Sequence, residues 1–316
     1  MNILLTGATG FIGQALVLEL LQQGFFLTIV LRKKSNLFAD NINQIIVGDL
    51  NNDIDWSSIL NKIDCIIHLA GKAHVIDQTK VSALDEFRKI NTELTLNLAK
   101  QAVAAGVERF IFLSSIGVNG NQNNQPFLEI DTPNPQEPYA ISKYEAEQGL
   151  LKLAQNSSLE MVIIRPPLVY GNNAPGNFGR LIQWVSPKFI LPLPLGAVNN
   201  ARSLVAIDNL VSFIITCTLH SKAANEIFLI SDNDSLSTTQ LLKKIAKAFN
   251  KKALLLPVPV NWMVFVAKLL GKEADAARLF SSLIVDSSKA RDLLDWHPVT
   301  TIDEQLRKIT ENEKNI

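Results

Sequence analysis

The sequence feature that most constrains the fold is the N-terminus, where a short apolar run breaks into three glycines spaced three residues apart. The run Ile3-Leu4-Leu5 precedes Gly7, Gly10 and Gly13, and apolar residues then recur at helical spacing. This order predicts a strand, a tight turn and a helix, because glycine allows the sharp exit from the strand and close packing of the helix. Main-chain N–H groups at such a helix N-terminus bind a diphosphate. The sequence therefore predicts a nucleotide-binding turn formed by Gly7, Gly10, Phe11, Ile12 and Gly13.

Composition sets broad limits on the class of protein. With 316 residues the chain can bury a large core, as one extended α/β domain or as a domain with a smaller partner. Thirty basic and thirty acidic residues cancel, so no net charge attracts the chain to nucleic acid or to an anionic bilayer. Cys65 and Cys217 lie in apolar runs and are expected to be buried, reduced thiols. Since no Cys-x-x-Cys pair or His/Cys cluster occurs, no metal site is expected.

Targeting and membrane signals are not found in the sequence. The apolar residues at the start belong to the predicted strand and glycine turn rather than to a secretory signal. Other apolar runs are broken by charge or proline well short of the roughly 20 residues that cross a bilayer. We therefore expect a cytoplasmic protein without a membrane span. The apolar run 262–270 is expected to be a helix packed into the core, and the alternative is a helix that grazes a membrane without spanning it.

The distribution of apolar runs predicts the fold class. Continuous apolar runs occur near residues 25–31, 44–47, 65–70, 109–113 and 161–164, and helix-length segments such as 84–105 separate most of them. This alternation is typical of an α/β protein with a doubly wound parallel sheet, as in the Rossmann fold. Beyond about residue 170 the alternation loosens, which predicts a smaller C-terminal lobe. We expect a dinucleotide-binding domain from residues 1–170 with parts of 200–235, and a substrate-binding lobe from 171–200 and 235–316.

Three side chains suggest acid–base chemistry. Tyr139 and Lys143 stand four residues apart in a helix-compatible segment, so both side chains share one face. A phenol with a pKa of about 10 is a poor catalyst at neutral pH, and a neighbouring lysine cation would favour the phenolate. Ser115 ends a predicted strand, where sheets of this class bind ligands, and could hydrogen-bond the same reacting oxygen. Ser114 is the alternative to Ser115. The segment 117–138, rich in Gly, Asn, Gln and Pro, is expected to form a long loop beside them.

These motifs together resemble one enzyme family over essentially the whole chain. The chain is similar to the extended short-chain dehydrogenase/reductases, the NAD(P)-dependent nucleotide-sugar epimerase/dehydratase group. The resemblance rests on the following segments: Thr6–Gly13, Gly48-Asp49-Leu50, His68-Leu69-Ala70-Gly71, Asn91, Ser114-Ser115, Tyr139-x-x-x-Lys143 and Arg165–Gly171.

The resemblance implies a role for each candidate in hydride transfer. Tyr139 would exchange a proton with a sugar oxygen while hydride passes between that carbon and the nicotinamide, with Ser115 on the same oxygen. Lys143 would hold the nicotinamide ribose and lower the pKa of Tyr139. Asn91 would support the helix that carries them.

The resemblance also implies contacts with the cofactor and with the substrate. Asp49 and Leu50 would flank the adenine, and Ala70 and Gly71 would line the diphosphate and ribose. Further along the chain, Asn177 and Arg202 correspond to residues that bind the diphosphate of a nucleotide sugar. Relatives often form homodimers through the helix of Tyr139 and the helix near 84–105, so a homodimer is possible here.

Two departures from the family pattern restrict the reaction. Family dehydratases carry an acidic pair directly after the catalytic hydroxyl, where this chain has Ile116 and Gly117. Without those acids, elimination of water is not expected. Some epimerase-reductases place a cysteine after the serine, and Ile116 excludes that pattern too.

The end of the second predicted strand bears on the cofactor. NAD-preferring relatives carry an acidic residue there, which binds the adenosine ribose hydroxyls. This chain has Arg32, Lys33 and Lys34 instead. Cations attract a 2′-phosphate, so NADP(H) is favoured, with Arg32 as its main contact, and NAD(H) remains possible.

Three functions follow from these motifs. The segments 114–120 and 193–204 are most similar to bacterial 4-ketoreductases of UDP-2-acetamido-2,6-dideoxy-hexos-4-uloses, which serve surface polysaccharide (O-antigen) synthesis. Reduction of such a UDP-linked ketone is the leading interpretation. The alternative is a UDP-glucose or UDP-N-acetylglucosamine 4-epimerase with tightly bound NAD, and the third possibility is a dinucleotide-binding protein without turnover.

Overall fold

The computed structural model describes residues 1–39, 42–50, 53–73, 80–185 and 192–314, in which strands and helices alternate. The strands are β1 (Asn2–Thr6), β2 (Phe26–Leu31), β3 (Asn43–Ile46), β4 (Cys65–His68), β5 (Arg109–Leu113), β6 (Glu160–Arg165), β7 (Leu168–Tyr170), β8 (Arg202–Ala206), β9 (Glu226–Leu229) and β10 (Ser235–Leu236). The helices are α1 (Phe11–Gln22), α2 (Lys80–Phe87), α3 (Leu94–Ala105), α4 (Pro138–Gln155), α5 (Gly176–Val185), α6 (Ile207–Leu219), α7 (Thr238–Ala248), α8 (Val260–Leu269), α9 (Glu273–Phe280), α10 (Ser288–Leu294) and α11 (Ile302–Lys314).

The main sheet is parallel throughout and has the strand order β3-β2-β1-β4-β5-β6-β9. From β1 the chain winds outward to β3, and from β4 it winds the opposite way to β9. The direction therefore reverses between β1 and β4. At such a switch point the connections leaving the two strands diverge and open a crevice at their carboxyl ends. The doubly wound Rossmann-type sheet predicted from the sequence is confirmed.

The strands of this sheet are apolar because both of their faces are covered by helices. In β1, Ile3 and Leu5 pack in the core cluster that also holds residues of α1 and α6, whereas Leu4 packs with residues of α3 and α4. Successive side chains of a strand point to opposite faces, so the run Ile3-Leu4-Leu5 supplies both layers. Because both faces of β1 are packed, the end of the strand, where the glycine turn begins, has a fixed position in the sheet.

A second, three-stranded sheet in the order β10-β8-β7 carries the smaller part of the molecule. It shares a core with α5, α7 and α11, including Phe178, Leu242 and Leu306. In contrast, α10 packs against the main core through Ala290 and Leu294. The division into domains at residues 170, 200 and 235 stays a prediction.

Two expectations about individual segments have different outcomes. Residues 119–137 form irregular structure, as expected, and Asn123 ties this loop to Ile284 by two hydrogen bonds of 2.7 and 2.8 Å. The expectation that residues 262–270 pack into the core is wrong for one whole side of α8, where Trp262, Phe265 and Leu269 are exposed. The cause is that α8 is apolar on both sides and only one side meets the core. Across the described residues, none of the helices combines the length and the apolar character needed to cross a bilayer.

Candidate active site

The turn between β1 and α1 is too tight for a side chain at Gly7 or Gly13. Gly7 has φ +77°, and a Cβ there would lie 2.7 Å from the main-chain nitrogen of Ala70. A Cβ on Gly13 would lie 2.1 Å from the oxygen of Gly7. Gly10 precedes α1 without a side-chain cap, and the first turn of that helix carries no acidic residue. The N–H groups of Phe11 and Ile12 therefore start a helix whose positive end suits an anion, and the turn fits a dinucleotide diphosphate.

A buried chain of hydrogen bonds connects the carboxyl ends of β1 and β4 to the next helical segment. Thr6 Oγ1 accepts from the N–H of Ala70 at 3.2 Å and donates to His68 Nδ1 at 2.8 Å, because the ring proton of His68 lies on Nε2. His68 Nε2 then donates to Thr95 Oγ1 at 2.9 Å, and Thr95 donates to the oxygen of Asn91. This order requires a neutral imidazole, and burial lowers the pKa of His68 to about 3. His68 therefore acts as a fixed structural link.

Asn91 lies in a π-helical segment, Arg88–Glu93, between α2 and α3. Its fully buried side chain accepts from the N–H of Lys72 at 2.8 Å and donates to the oxygen of Lys72 at 3.0 Å and to Ser142 Oγ at 3.0 Å. Ser142 lies in α4. Asn91 thus joins the segment after β4 to α4, which agrees with the supporting role implied by the resemblance.

Lys143 lies on the side of α4 that faces the main sheet. Its Nζ donates to the oxygen of Leu113 at 2.9 Å and lies 4.4 Å from the ring centre of Phe112. A Cβ on Gly71 would approach the same Nζ to 3.3 Å. Lys143 is therefore located between the ends of β4 and β5, and burial lowers the pKa of Lys143 to about 8.

Tyr139 occupies the first turn of α4, one turn before Lys143. Its half-buried ring makes an edge contact with Phe87, with ring centres 5.9 Å apart. Burial raises the pKa of Tyr139 to about 12. This direction comes from burial alone in the cofactor-free protein, and the lowering of the Tyr139 pKa by Lys143 that the resemblance implies stays a prediction.

The two serines after β5 have different environments. Ser115 caps the 3-10 turn Ile116–Val118, and its Oγ accepts from the N–H of Gly117 at 3.1 Å. The Ser115 residue is partly exposed. A Cβ on Gly117 would lie 3.2 Å from the Cβ of Ala140 and 3.4 Å from Ser115 Oγ, which places Ser115 beside the start of α4. Ser114 is buried and its Oγ has no hydrogen-bond partner. The geometry thus favours Ser115 over Ser114 as the serine that can reach a ligand.

A buried ion pair fixes the middle of α4. Arg165, the last residue of β6, donates to both carboxylate oxygens of Glu147 at 3.0 and 2.6 Å and to Asn119 Oδ1 at 2.9 Å. Both charged side chains are at most 2% exposed. A bidentate pair of this kind fixes the rotation of α4 about its axis. Ser142, Lys143 and Glu147 therefore bind α4 to three different parts of the fold.

A cleft of about 460 Å³ lies between the three-stranded sheet, α5, α8 and α9. Arg202 lines it and donates to the oxygens of Arg278 and Ser281 at 2.7 and 3.1 Å. Arg278 also lines the cleft and forms an ion pair of 2.6 Å with Glu137, two residues before Tyr139. The cleft therefore adjoins the beginning of α4. Its cations suit an anionic ligand, and its remaining walls are largely apolar.

The remaining predicted contacts follow β2 and β3 or lie in α5. Arg32 is exposed directly after β2, and Asp49 is exposed after β3. Leu50 is half-buried against the core. Asn177 lies in α5, but its side chain is outside the described residues. The structure thus brings the residues from β1, β4, β5 and α4 together, and Arg32 and Asp49 follow β2 and β3 at the same edge of the parallel sheet.

Several residues of the site were not singled out by sequence reasoning. Arg180 and Arg278 line the cleft, and Glu147 holds α4. Isolated arginines and glutamates carry no motif, since their partners are distant in sequence. The pairing of Glu147 with Arg165 had one available signal, because an acidic residue one turn after Lys143 on a buried helix face needs a cationic partner.

Comparisons with known proteins support a single family. The model of the NAD dependent epimerase/dehydratase family matches residues 3–231. The chain is 42% identical over 311 residues to a UDP-glucose 4-epimerase of Vibrio cholerae, covering 97% of this chain and 94% of the relative.

Two more distant proteins also match most or all of the chain. The chain is 28% identical to an N-acetyl-alpha-D-glucosaminyl-diphospho-ditrans,octacis-undecaprenol 4-epimerase of Escherichia coli O157:H7, with 86% of this chain and 82% of the relative covered. The crystal structure of UDP-glucuronic acid 4-epimerase from Bacillus cereus in complex with NAD has the same fold, with a TM-score of 0.80, 21% identity and coverage of 100% and 97%.

Proposed function

The chain belongs to the NAD-dependent epimerase/dehydratase family, and we propose that it is a UDP-hexose 4-epimerase that keeps NAD bound through the reaction. The observation that carries this proposal is the 42% identity to a UDP-glucose 4-epimerase across nearly the whole of both chains. Membership in the family makes it an enzyme of the nucleotide-sugar epimerase/dehydratase type. The 4-ketoreductase, which is the leading interpretation of the sequence alone, becomes the second candidate.

The proposed acid–base residue is Tyr139. It removes the proton of the C4 hydroxyl as the C4 hydride leaves, and it returns a proton to the C4 oxygen when hydride comes back. Ser115 hydrogen-bonds the same oxygen, as its accessible position beside the start of α4 allows. Ser114 is the alternative only if its buried hydroxyl turns outward.

The glycine turn is the proposed cofactor site. Gly7 and Gly13 let the turn pack tightly against neighbouring backbone, Gly10 leaves room for the diphosphate, and the N–H groups of Phe11 and Ile12 bind it. Ala70 and Gly71 line the ribose beside Lys143, and Asp49 and Leu50 flank the adenine. When bound, NAD supplies the hydride acceptor and a positively charged ring, which favours the Tyr139 phenolate.

The charge of Lys143 has a proposed role in the same step. With a pKa of about 8 in the cofactor-free protein, Lys143 is protonated at neutral pH. A buried cation between β4 and β5 stabilises negative charge nearby more strongly than an exposed one would. Lys143 therefore lowers the cost of removing the Tyr139 proton, which burial alone makes high.

Inversion at C4 requires that hydride returns to the opposite face of the ketone. The chain's part is to hold the nucleotide diphosphate while the sugar ring changes face. Arg202, Arg180 and Arg278 line the cleft beside α4 and suit that diphosphate, because a guanidinium donates two parallel hydrogen bonds to phosphate oxygens. Asn177 is a further proposed contact.

The test begins with the nucleotide carried by the purified protein. We expect NAD in the protein as isolated, and interconversion of UDP-glucose and UDP-galactose, or of their N-acetyl forms, without added nicotinamide. The substrates to be tested include N-acetylglucosamine on undecaprenyl diphosphate, since one relative is named for that substrate. Tyr139→Phe should lower turnover by about 10² or more, whereas Tyr144→Phe on the same helix should not. Interconversion that survives Tyr139→Phe would refute the acid–base assignment.

The second candidate is an NADPH-dependent reductase of a UDP-linked 4-keto-6-deoxy-N-acetylhexosamine for surface polysaccharide synthesis. The exposed cations Arg32, Lys33 and Lys34 after β2 favour it, because they suit a 2′-phosphate. Oxidation of added NADPH by such a ketone, with no bound NAD in the isolated protein, would support this candidate over the epimerase. Arg32→Glu should then shift preference from NADPH to NADH.

A further inference from the structure

Helix α8 exposes a continuous apolar stripe. Trp262, Phe265 and Leu269 are 70%, 61% and 71% exposed, and Val266 lies between them. Their spacing of three and four residues places them on one side of the helix. The opposite side, with Val260 and Met263, packs against the core of the smaller sheet. The outward side is thus apolar by sequence and uncovered in the monomer, which is unusual for a surface helix.

The sequence segment that contains α8 is basic, although Glu273 follows it directly at the start of α9. Residues 251–272 contain four lysines and no acidic residue, although the whole chain has equal numbers of basic and acidic residues. The lysines are Lys251, Lys252, Lys268 and Lys272. Lys252 and Lys268 are exposed. Lysine stems lie along apolar surfaces while their ammonium groups reach water or phosphate.

We propose that the outward side of α8 binds the surface of an anionic lipid bilayer. A helix with Trp, Phe and Leu on one side and an exposed lysine, Lys268, in its last turn lies in the plane of the headgroups, with the apolar side chains among the acyl chains and the lysine on a lipid phosphate. The 10-residue helix is about 15 Å long, half of the roughly 30 Å needed to span. It can therefore lie on the bilayer but not cross it.

A second copy of this chain fits the stripe less well. Symmetric packing of two α8 helices would bring two copies of Lys268 together with no acidic residue in either helix to pair with them, and like charges oppose that contact. An anionic lipid surface satisfies both the apolar stripe and the lysines. The charge pattern therefore selects the bilayer as the occupant.

The position of α8 relative to the cleft gives this binding a consequence. Met263, Ala267 and Lys272 line the cleft that also contains Arg202. One side of α8 thus forms a cleft wall while the other side would face lipid. The bound protein would hold the cleft close to the headgroups.

The experiment is flotation of the full chain with vesicles. We expect binding to phosphatidylcholine vesicles that contain about a quarter phosphatidylglycerol, and weaker binding to phosphatidylcholine alone. The double variant Trp262→Gln/Leu269→Gln should lose binding by about tenfold or more. Lys252→Gln/Lys268→Gln should lose the preference for anionic vesicles. Ile130→Gln, which removes an exposed apolar side chain elsewhere, is the matched control and should bind like the parent.

Three results would overturn the proposal. The first is absence of binding to anionic vesicles, and the second is equal binding by the Trp262→Gln/Leu269→Gln variant. The third is a lipid-free dimer, seen by sedimentation, that this variant converts to monomer, because a second copy would then cover the stripe. All variants change exposed residues, so circular dichroism should match that of the parent. Vesicle binding does not depend on the UDP-hexose assignment and is measured separately from it.

Discussion

The Nζ of Lys143 lies 2.9 Å from the main-chain oxygen of Leu113, so the helix that carries Tyr139 is joined directly to the end of β5. The bond keeps an ammonium group in a buried position that lowers its pKa from 10.5 to about 8. A buried cation of this kind costs stability and is retained where its charge is used.

Stability should therefore depend on pH through Lys143. The unfolded chain binds more protons between pH 8 and 10.5, so this residue's contribution to the free energy of unfolding rises with pH across that window. Lys143→Met removes the penalty, which amounts to about 3 kcal/mol at neutral pH. In nucleotide-free protein we expect the variant to gain thermal stability relative to the parent at pH 7, and to lose that advantage near pH 10. Turnover should fall at both pH values.

The comparison to make is the difference in Tm between variant and parent at the two pH values. A constant difference would mean that Lys143 does not titrate in this window. Lys152→Met, at the exposed end of the same helix, serves as the control and should show no such dependence.

Ser114 and Ser115 should respond differently to the same substitution. Ser114 Oγ is buried without a partner, so Ser114→Ala removes an unsatisfied polar atom and should leave stability unchanged or increase it by up to about 1 kcal/mol. Ser115→Ala should lower kcat by about 10-fold or more through loss of a hydrogen bond to the reacting oxygen. Measurement of kcat and Tm for both variants decides between the serines, and a larger loss of kcat in Ser114→Ala would reverse the assignment.

Substitution of the turn glycines should affect stability at one position and dinucleotide binding at another. Gly13→Ala places a methyl group 2.1 Å from a backbone oxygen and should cost more than about 3 kcal/mol in stability. On Gly10 the added Cβ meets the same oxygen at 3.2 Å, so the fold should tolerate it. Since Gly10 lies where the diphosphate approaches, Gly10→Ala should weaken binding of the dinucleotide while Tm without nucleotide changes little. Fluorescence titration with NADH and thermal unfolding measure the two effects, and unchanged affinity in Gly10→Ala would contradict the proposed cradle.

The ion pair between Glu147 and Arg165 should be essential for folding. Among the described residues, Glu147→Ala leaves the buried guanidinium with Asn119 as its remaining side-chain partner and should cost about 3 to 5 kcal/mol. Replacing both residues, as in Glu147→Leu/Arg165→Met, should recover part of that loss because no charge remains buried. Urea unfolding of the single and double variants gives the coupling free energy between the two residues. If the losses of stability of the single variants simply add in the double variant, the pair contributes no interaction.

Much of the main sheet could be predicted from the sequence because its strands are apolar on both faces. The run Arg109–Leu113 is a strand at the predicted bounds, and Tyr139 and Lys143 share a helix as their spacing indicates. These features follow from local patterns. The ends of β1, β4 and β5 then meet because a parallel sheet brings them to one edge.

Other features could not be predicted because they depend on distant partners. Nothing local marks the π-helical turn that directs Asn91 toward both Lys72 and Ser142. The raised pKa of Tyr139 reflects burial by the surrounding fold. For α8, residues on both sides are apolar, so the sequence pattern carries no information about which side meets the core.

The three buried contacts of α4 bear on how the enzyme loses activity when heated. Ser142, Lys143 and Glu147 bind the helix to the π-helical segment, to β5 and to β6. Local opening of α4 would break all three, so its amide hydrogens should exchange with solvent only when the main sheet unfolds. The Tyr139 hydroxyl would then keep its place until global unfolding, and the temperatures of inactivation and unfolding should coincide.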